Sequence, residues 1–227
     1  MSLVTIAERW AMICDRVATV AIQNGRSASD ITIVGVTKYV DVEQTRQLYD
    51  AGCRDFGESR PQSLWEKSAA MAELPIRWHL IGHLQRNKSR RTIPIVYCIH
   101  SVDSLRLSQQ LESDAAELDK SVSILLEVNV SGDPNKTGML PSELSNVANA
   151  IVAMPHLRVI GLMGMAGLGN REPRADFVAI RELRDQLQTE LGGSAKLDQL
   201  SMGMSGDYEP AIQEGATMLR IGSSLFS

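Results

Sequence analysis

The residues best placed to do chemistry fall near the two ends of the chain. Lys38 directly follows the apolar, β-branched run Ile31-Thr32-Ile33-Val34-Gly35-Val36-Thr37. A lysine at the end of a buried strand, flanked by apolar residues, can be desolvated. Desolvation favours the neutral amine, which is the nucleophile of Schiff-base chemistry. The plainer reading is a lysine that snorkels to solvent. Towards the C-terminus, Leu200-Ser201-Met202-Gly203-Met204-Ser205-Gly206-Asp207 closes one strand-like run and opens a helix, and Arg220-Ile221-Gly222-Ser223-Ser224 repeats the pattern. Small residues at such junctions let backbone N–H groups face an anion, and the helix dipole favours negative charge. Two ordinary helix caps would look the same.

Weaker candidates lie between these ends. Phe56-Gly57-Glu58-Ser59-Arg60 follows one strand-like run, Trp78-His79-Leu80-Ile81-Gly82-His83 spans the end of another, and Asn129 closes a third. His79 taken alone reads as a hydrogen-bonded core histidine. Lys136 reads as a solvated loop charge unless its loop folds over a site. The glycine-rich stretch 161–169 lacks dinucleotide-binding spacing and reads as a loop. Met163, Met165, Met202 and Met204 read as core or pocket filling. His79 and His83 are spaced i, i+4, but further ligands nearby are not evident, so no metal site is expected. Cys14, Cys53 and Cys98 are far apart with no CxxC pair, which argues against a disulfide framework and for a reducing cytoplasm.

An alternation of elements must position these groups. Apolar residues three and four apart over 3–23 predict an amphipathic helix that Asn24 and Gly25 end. Strand-like runs follow at 31–36, 54–57, 77–80, 94–99, 122–130, 159–163, 197–200 and 218–221. Helices separate them, several opened by a residue suited to the first turn, such as Asp41, Pro61, Pro141 and Pro173. Short apolar strands alternating with helices belong to the α/β class. Eight of them predict a (β/α)8 barrel with an extra N-terminal helix, a single domain over residues 1–227. An open doubly wound sheet is the alternative. In a barrel, Lys38 and the last two loops would meet at the C-terminal face, where active sites and phosphate sites form.

Composition narrows the partners. The chain has 227 residues, 44% hydrophobic and 22% charged, with net charge −4. That profile is ordinary for a globular domain, and an acidic balance disfavours nucleic acid or anionic membrane as the main partner. The sequence has no apolar run near the ~20 residues of a membrane helix and no secretory signal over residues 1–9.

Taken together the motifs resemble the pyridoxal phosphate homeostasis proteins, which are similar to the N-terminal domain of alanine racemases. The matching pieces run in order from residue 34 to the end. They include Val34-Gly35-Val36-Thr37-Lys38, Phe56-Gly57-Glu58, His100-Ser101-Val102-Asp103, Leu126-Glu127-Val128-Asn129 and Gly215-Ala216-Thr217-Met218-Leu219-Arg220-Ile221-Gly222. The most specific are the stretches 78–88 and 200–205.

The resemblance implies pyridoxal 5′-phosphate (PLP) as cofactor, held as a Schiff base on Lys38. It implies that Ser205, Gly222 and Ser223 hold the phosphate and that Arg220 faces the pyridine nitrogen. Ser59 and Asn129 would lie beside the cofactor. Ser59 stands where the family usually has asparagine, and serine is the shorter side chain for a hydrogen bond to the ring oxygen. Ser223 in place of threonine keeps its hydroxyl. An arginine donates only, so it would keep the ring nitrogen unprotonated and weaken the electron sink that catalysis needs. With Ser227 a few residues after the last strand, the second domain that completes a racemase is not expected. The expected role is therefore a monomeric cytoplasmic PLP carrier with apo PLP-dependent enzymes as its recipients. The alternative is a small amino-acid racemase or other Schiff-base enzyme, with His79, His83 or Tyr39 as acid/base groups. A third reading is a regulatory module using the basic stretch 86–91.

Overall fold

In the computed structural model, which describes residues 4–133, 136–167 and 172–227, eight parallel strands close into one barrel. The strands are β1 (Thr32–Val36), β2 (Asp55–Glu58), β3 (Arg77–Leu80), β4 (Val96–Val102), β5 (Val122–Glu127), β6 (Leu157–Met163), β7 (Gln199–Met204) and β8 (Met218–Ile221). Each pairs with its sequence neighbour, and β8 returns to β1 with Thr32 opposite Met218 and Val34 opposite Arg220. That closure removes the open edges of the doubly wound alternative.

Helices follow each strand: α2 (Val42–Asp50), α3 (Pro61–Ala70), α4 (Ser89–Thr92), α5 (Leu105–Glu117), α6 (Pro141–Val152), α7 (Pro173–Leu191), α8 (Tyr208–Gln213) and α9 (Ser223–Phe226). The extra N-terminal helix, α1 (Ile6–Gln23), is started by a reciprocal cap. Thr5 Oγ1 accepts from the Glu8 N–H, while Glu8 Oε2 accepts from the Thr5 N–H. Its buried face, Ile13, Val17, Val20 and Ala21, packs the helix against α2, α8 and α9.

Alternation along the strands sorts two interiors. Outward residues such as Phe56, Ile99, Ile124, Leu126, Leu162, Leu200 and Leu219 pack under the helices as the main core. Inward residues split into a small apolar cluster, Cys98, Leu125, Met163 and Met218, and buried polar groups that include Asp55, His79, His100, Ser201 and Arg220. Buried polar groups persist only when hydrogen-bonded, so this half of the barrel is held by specific partners rather than by area.

Several boundaries differ from expectation, and three of them bear on the site. β4 runs on to Val102, and β5 stops at Glu127, leaving Asn129 in the loop beyond. β7 occupies Gln199–Met204 rather than 197–200. Ser201, Met202 and Gly203 are therefore strand residues, and only Ser205 onward forms the loop. Gly203 makes this possible: its φ is +89°, and a Cβ there would lie 2.6 Å from the Ala211 Cβ. Of the loop motifs, residues 134–135 and 168–169 lie outside the described residues.

Candidate functional site

A cavity of about 870 Å³ opens at the C-terminal ends of the strands. Lys38 reaches it from the end of β1, and the backbone there is firmly fixed. The Thr37 N–H donates to Gly57 O at 3.0 Å. Thr37 Oγ1 donates to Glu58 Oε1 at 2.6 Å, and Lys67 Nζ from α3 donates to both Thr37 O and Glu58 Oε1 at 2.6 Å. Lys38 itself is exposed, with Nζ 4.8 Å from the centre of the exposed Tyr39 ring. The strand end holds the lysine in place, but its neighbours do not bury it, so the desolvation expected from the apolar flanks is not supplied by the protein.

Arg220 enters the cavity from β8. It is 5% exposed; Nη1 donates to Ser201 Oγ at 2.7 Å and Nη2 to Gly164 O at 3.0 Å. Burial pushes the guanidinium down to about 10, opposed by the negative charges of Asp207 and Glu127. It therefore stays protonated near neutrality. Two of its five N–H groups serve these bonds, and the residue lines the cavity.

The last two loops meet at Ser205. Its Oγ accepts from the Gly222 N–H at 3.2 Å and the Ser224 N–H at 3.4 Å. Asp207 Oδ1 accepts from the Met204 N–H at 2.5 Å and closes the preceding turn. Gly222 packs tightly, since a Cβ there would lie 3.3 Å from Val36. The result is a cradle of hydroxyls and backbone amides on the cavity wall beside Arg220. Ser59 sits on the opposite side after β2, close against Gly82, where a Cβ would come within 2.3 Å of Ser59 O.

The structure thus brings Lys38, Ser59, Ser205, Arg220, Gly222 and Ser223 to one cavity. It places the other two candidates elsewhere. His79 is fully buried inside the barrel, bonded to His100 and Asp55, and does not line the cavity. Its strand position looked like a mouth position, but the side chain alternates inward one layer too deep. Asn129 also misses the wall. Its Nδ2 donates to Asp133 O at 2.8 Å and its Oδ1 accepts from Ser131 Oγ, so it shapes the loop after β5. The described part of that loop reaches the rim of the cavity. Lys136 Nζ donates to Ala166 O at 2.5 Å, so Lys136 is tied down rather than a free solvated charge, and Thr137 lines the cavity.

Glu127 and Thr137 are two polar cavity residues to which sequence reasoning gave no role. Glu127 is 2% exposed and accepts from Thr137 Oγ1 at 2.5 Å. Burial pushes its carboxyl up, as does Asp103; Thr137, Arg220 and His83 oppose the shift. The sequence carries a signal: an acidic residue ends the strand Val122–Glu127, which is apolar but for Ser123. His83 also lines the cavity, with Nδ1 3.4 Å from Asp103 Oδ2.

The closed barrel of eight parallel strands is of the alanine racemase N-terminal domain class, whose pattern matches residues 23–227. The pyridoxal phosphate homeostasis protein of Pseudomonas aeruginosa is 39% identical over 222 residues, 98% of this chain and 95% of that protein. The chain belongs to the pyridoxal phosphate homeostasis protein family. The structure of PipY from Synechococcus elongatus PCC7942 with PLP bound matches at TM-score 0.88 and 34% identity, covering 98% of this chain and 100% of that one. Alanine racemase from Clostridium difficile 630 matches at TM-score 0.73 and 17% identity, over 93% of this chain and 56% of that one, a likeness of fold.

Proposed function

We propose that residues 1–227 form one PLP-binding barrel, which holds PLP as a Schiff base on Lys38 and serves intracellular PLP homeostasis by keeping and handing on the cofactor rather than by turnover. The observation that carries this reading is the convergence of a primary amine, a buried guanidinium and a hydroxyl–amide cradle on one cavity wall. That donor set suits a phosphorylated, ring-nitrogen-bearing aldehyde. When bound, PLP supplies an electrophilic aldehyde and a ring able to withdraw electrons.

Binding and orientation fall to the chain's own residues. Lys38 offers the amine from a clamped strand end. Ser205, Gly222 and Ser223 take the phosphate, and Ser59 flanks the ring with a hydroxyl shorter than the family's asparagine. Arg220 stays protonated and donates only, so the ring nitrogen it faces has no proton to gain from it. This weakens electron withdrawal and supports holding over catalysis. Apo PLP-dependent enzymes are the proposed recipients. Borohydride reduction of the PLP-loaded protein followed by peptide mapping tests the assignment: the label is expected on the peptide containing Lys38, and a label elsewhere overturns it.

A racemase-like reading draws on His83, Tyr39 and Glu127, which line the same cavity. Amino-acid α-proton exchange in deuterated buffer separates the two. The carrier reading expects no exchange at enzymatic rates.

A further inference from the structure

Arg220 is the upper end of a hydrogen-bonded line that crosses the barrel. Ser201 Oγ accepts from Arg220 Nη1 at 2.7 Å and lies 2.9 Å from His100 Nδ1. His100 Nε2 is 2.9 Å from His79 Nδ1, and His79 Nε2 is 3.0 Å from Asp55 Oδ1. At the far end Asp55 accepts from Arg77 Nε at 2.7 Å and Nη2 at 2.5 Å. His79, His100 and Ser201 are fully buried.

With a single proton on each ring, the two ends fix the direction of every link between them. Arg220 has only donors, so Ser201 Oγ accepts there. Burial pushes the Asp55 carboxyl up, but hydrogen bonds from His79 and Arg77 outweigh it and hold the group below its ordinary value, so it is a carboxylate with only lone pairs to offer. His79 Nε2 therefore carries hydrogen and Nδ1 a lone pair. His100 Nε2 then carries hydrogen, its Nδ1 a lone pair, and the Ser201 hydroxyl proton points at that lone pair. Every link is satisfied with both rings neutral. Burial above all holds His100 well below the ordinary histidine value, which agrees with a neutral His100 ring.

We propose that Asp55, His79, His100 and Ser201 are positioning residues that form a directed donor chain, holding the Arg220 guanidinium in place from the opposite face of the barrel. Reversing the chain at Asp55 would make Ser201 Oγ accept from both His100 and Arg220, and would turn its own proton out without the partner it now has. The far face is thereby coupled to the site.

The same interior holds Cys98, whose sulfur and the two histidines offer ligand atoms within 4.8 Å of one another. The histidine nitrogens are already bonded to each other, and burial pushes the Cys98 thiol up, which keeps it protonated and a poor ligand. A donor chain explains these contacts without a metal.

The test is made first on cofactor-free protein, so that it stands apart from the PLP reading, on which only its second arm rests. Long-range ¹H–¹⁵N NMR is expected to show His79 and His100 as neutral Nε2–H tautomers, with a protected Arg220 guanidinium N–H. Asp55→Asn is expected to move at least one ring to Nδ1–H. Ser201→Ala is expected to leave both rings unchanged. Both variants are expected to speed Arg220 N–H exchange, and Ser201→Thr to restore it. On loaded protein, each should weaken PLP binding about five- to tenfold, the equivalent of about one hydrogen bond. Should Asp55→Asn not fold, the wild-type tautomers and the Ser201 pair decide the matter. An Nδ1–H tautomer in wild type, unchanged Arg220 protection in Ser201→Ala, or stoichiometric zinc by elemental analysis would overturn the proposal.

Discussion

Lys67 Nζ lies 2.6 Å from Glu58 Oε1, and both side chains are buried, at 8% and 0% exposure. The same ammonium donates to Thr37 O, the residue before Lys38. Removing one member of a buried ion pair leaves the other charge uncompensated, at a cost of about 3 kcal/mol or more. Here the loss is sharper because Glu58 Oε2 is buried with no hydrogen-bond partner. Lys67→Met is expected to lower stability by about 3 kcal/mol in urea denaturation. The double variant with Glu58→Gln is expected to recover a large part of it. Equal losses in both would show that the pair is not what anchors this strand end.

Gly203 is expected to tolerate no side chain. At φ +89° an alanine is strained, and its Cβ would press on Ala211 at 2.6 Å. Gly203→Ala should cost about 1–3 kcal/mol and displace the turn that carries Ser205. Thermal denaturation measures the first effect. Weaker inorganic phosphate binding, followed by NMR shifts of Ser205 and Gly222, measures the second.

Glu127 gives a pH signature. Its carboxyl is raised by burial, with Asp103 adding and Thr137, Arg220 and His83 opposing. A raised folded value means that Glu127 favours the fold in its protonated form. That contribution is complete below the ordinary glutamate range and is lost as pH rises through the folded value. Glu127→Gln keeps the acceptor for Thr137 and removes the charge. The variant is expected to melt higher than wild type at pH 8, with the gap closing towards pH 4. A variant that melts lower at pH 8 would mean the charge is stabilised there.

Lys38, Arg220 and the cradle were legible because each lies at a strand end in an alternating sequence, and a barrel sends all strand ends to one face. The His79–His100 pair was not. The residues are 21 apart, each plausible as an isolated core histidine, and only the pairing of His79 with Cys98, after a register shift at Trp78, sets them side by side. Ser201 follows the expected strand 197–200 in the sequence, so nothing there points it into the barrel. The strand continues to Met204, with its own register shift against β8, and turns Ser201 inward. Asn129 misled for the converse reason: β5 ends two residues earlier, and the amide serves its own loop.

The most direct measurement is the visible absorbance of purified protein loaded with PLP, wild type against Lys38→Ala. Lys38 is exposed at the cavity mouth and, apart from the Tyr39 ring, is not packed against the core, so its removal should leave the fold intact. The expected result is an imine band in wild type that is absent from Lys38→Ala at unchanged melting temperature. An imine band of equal strength in both proteins would contradict the assignment of Lys38 as the residue that holds the cofactor.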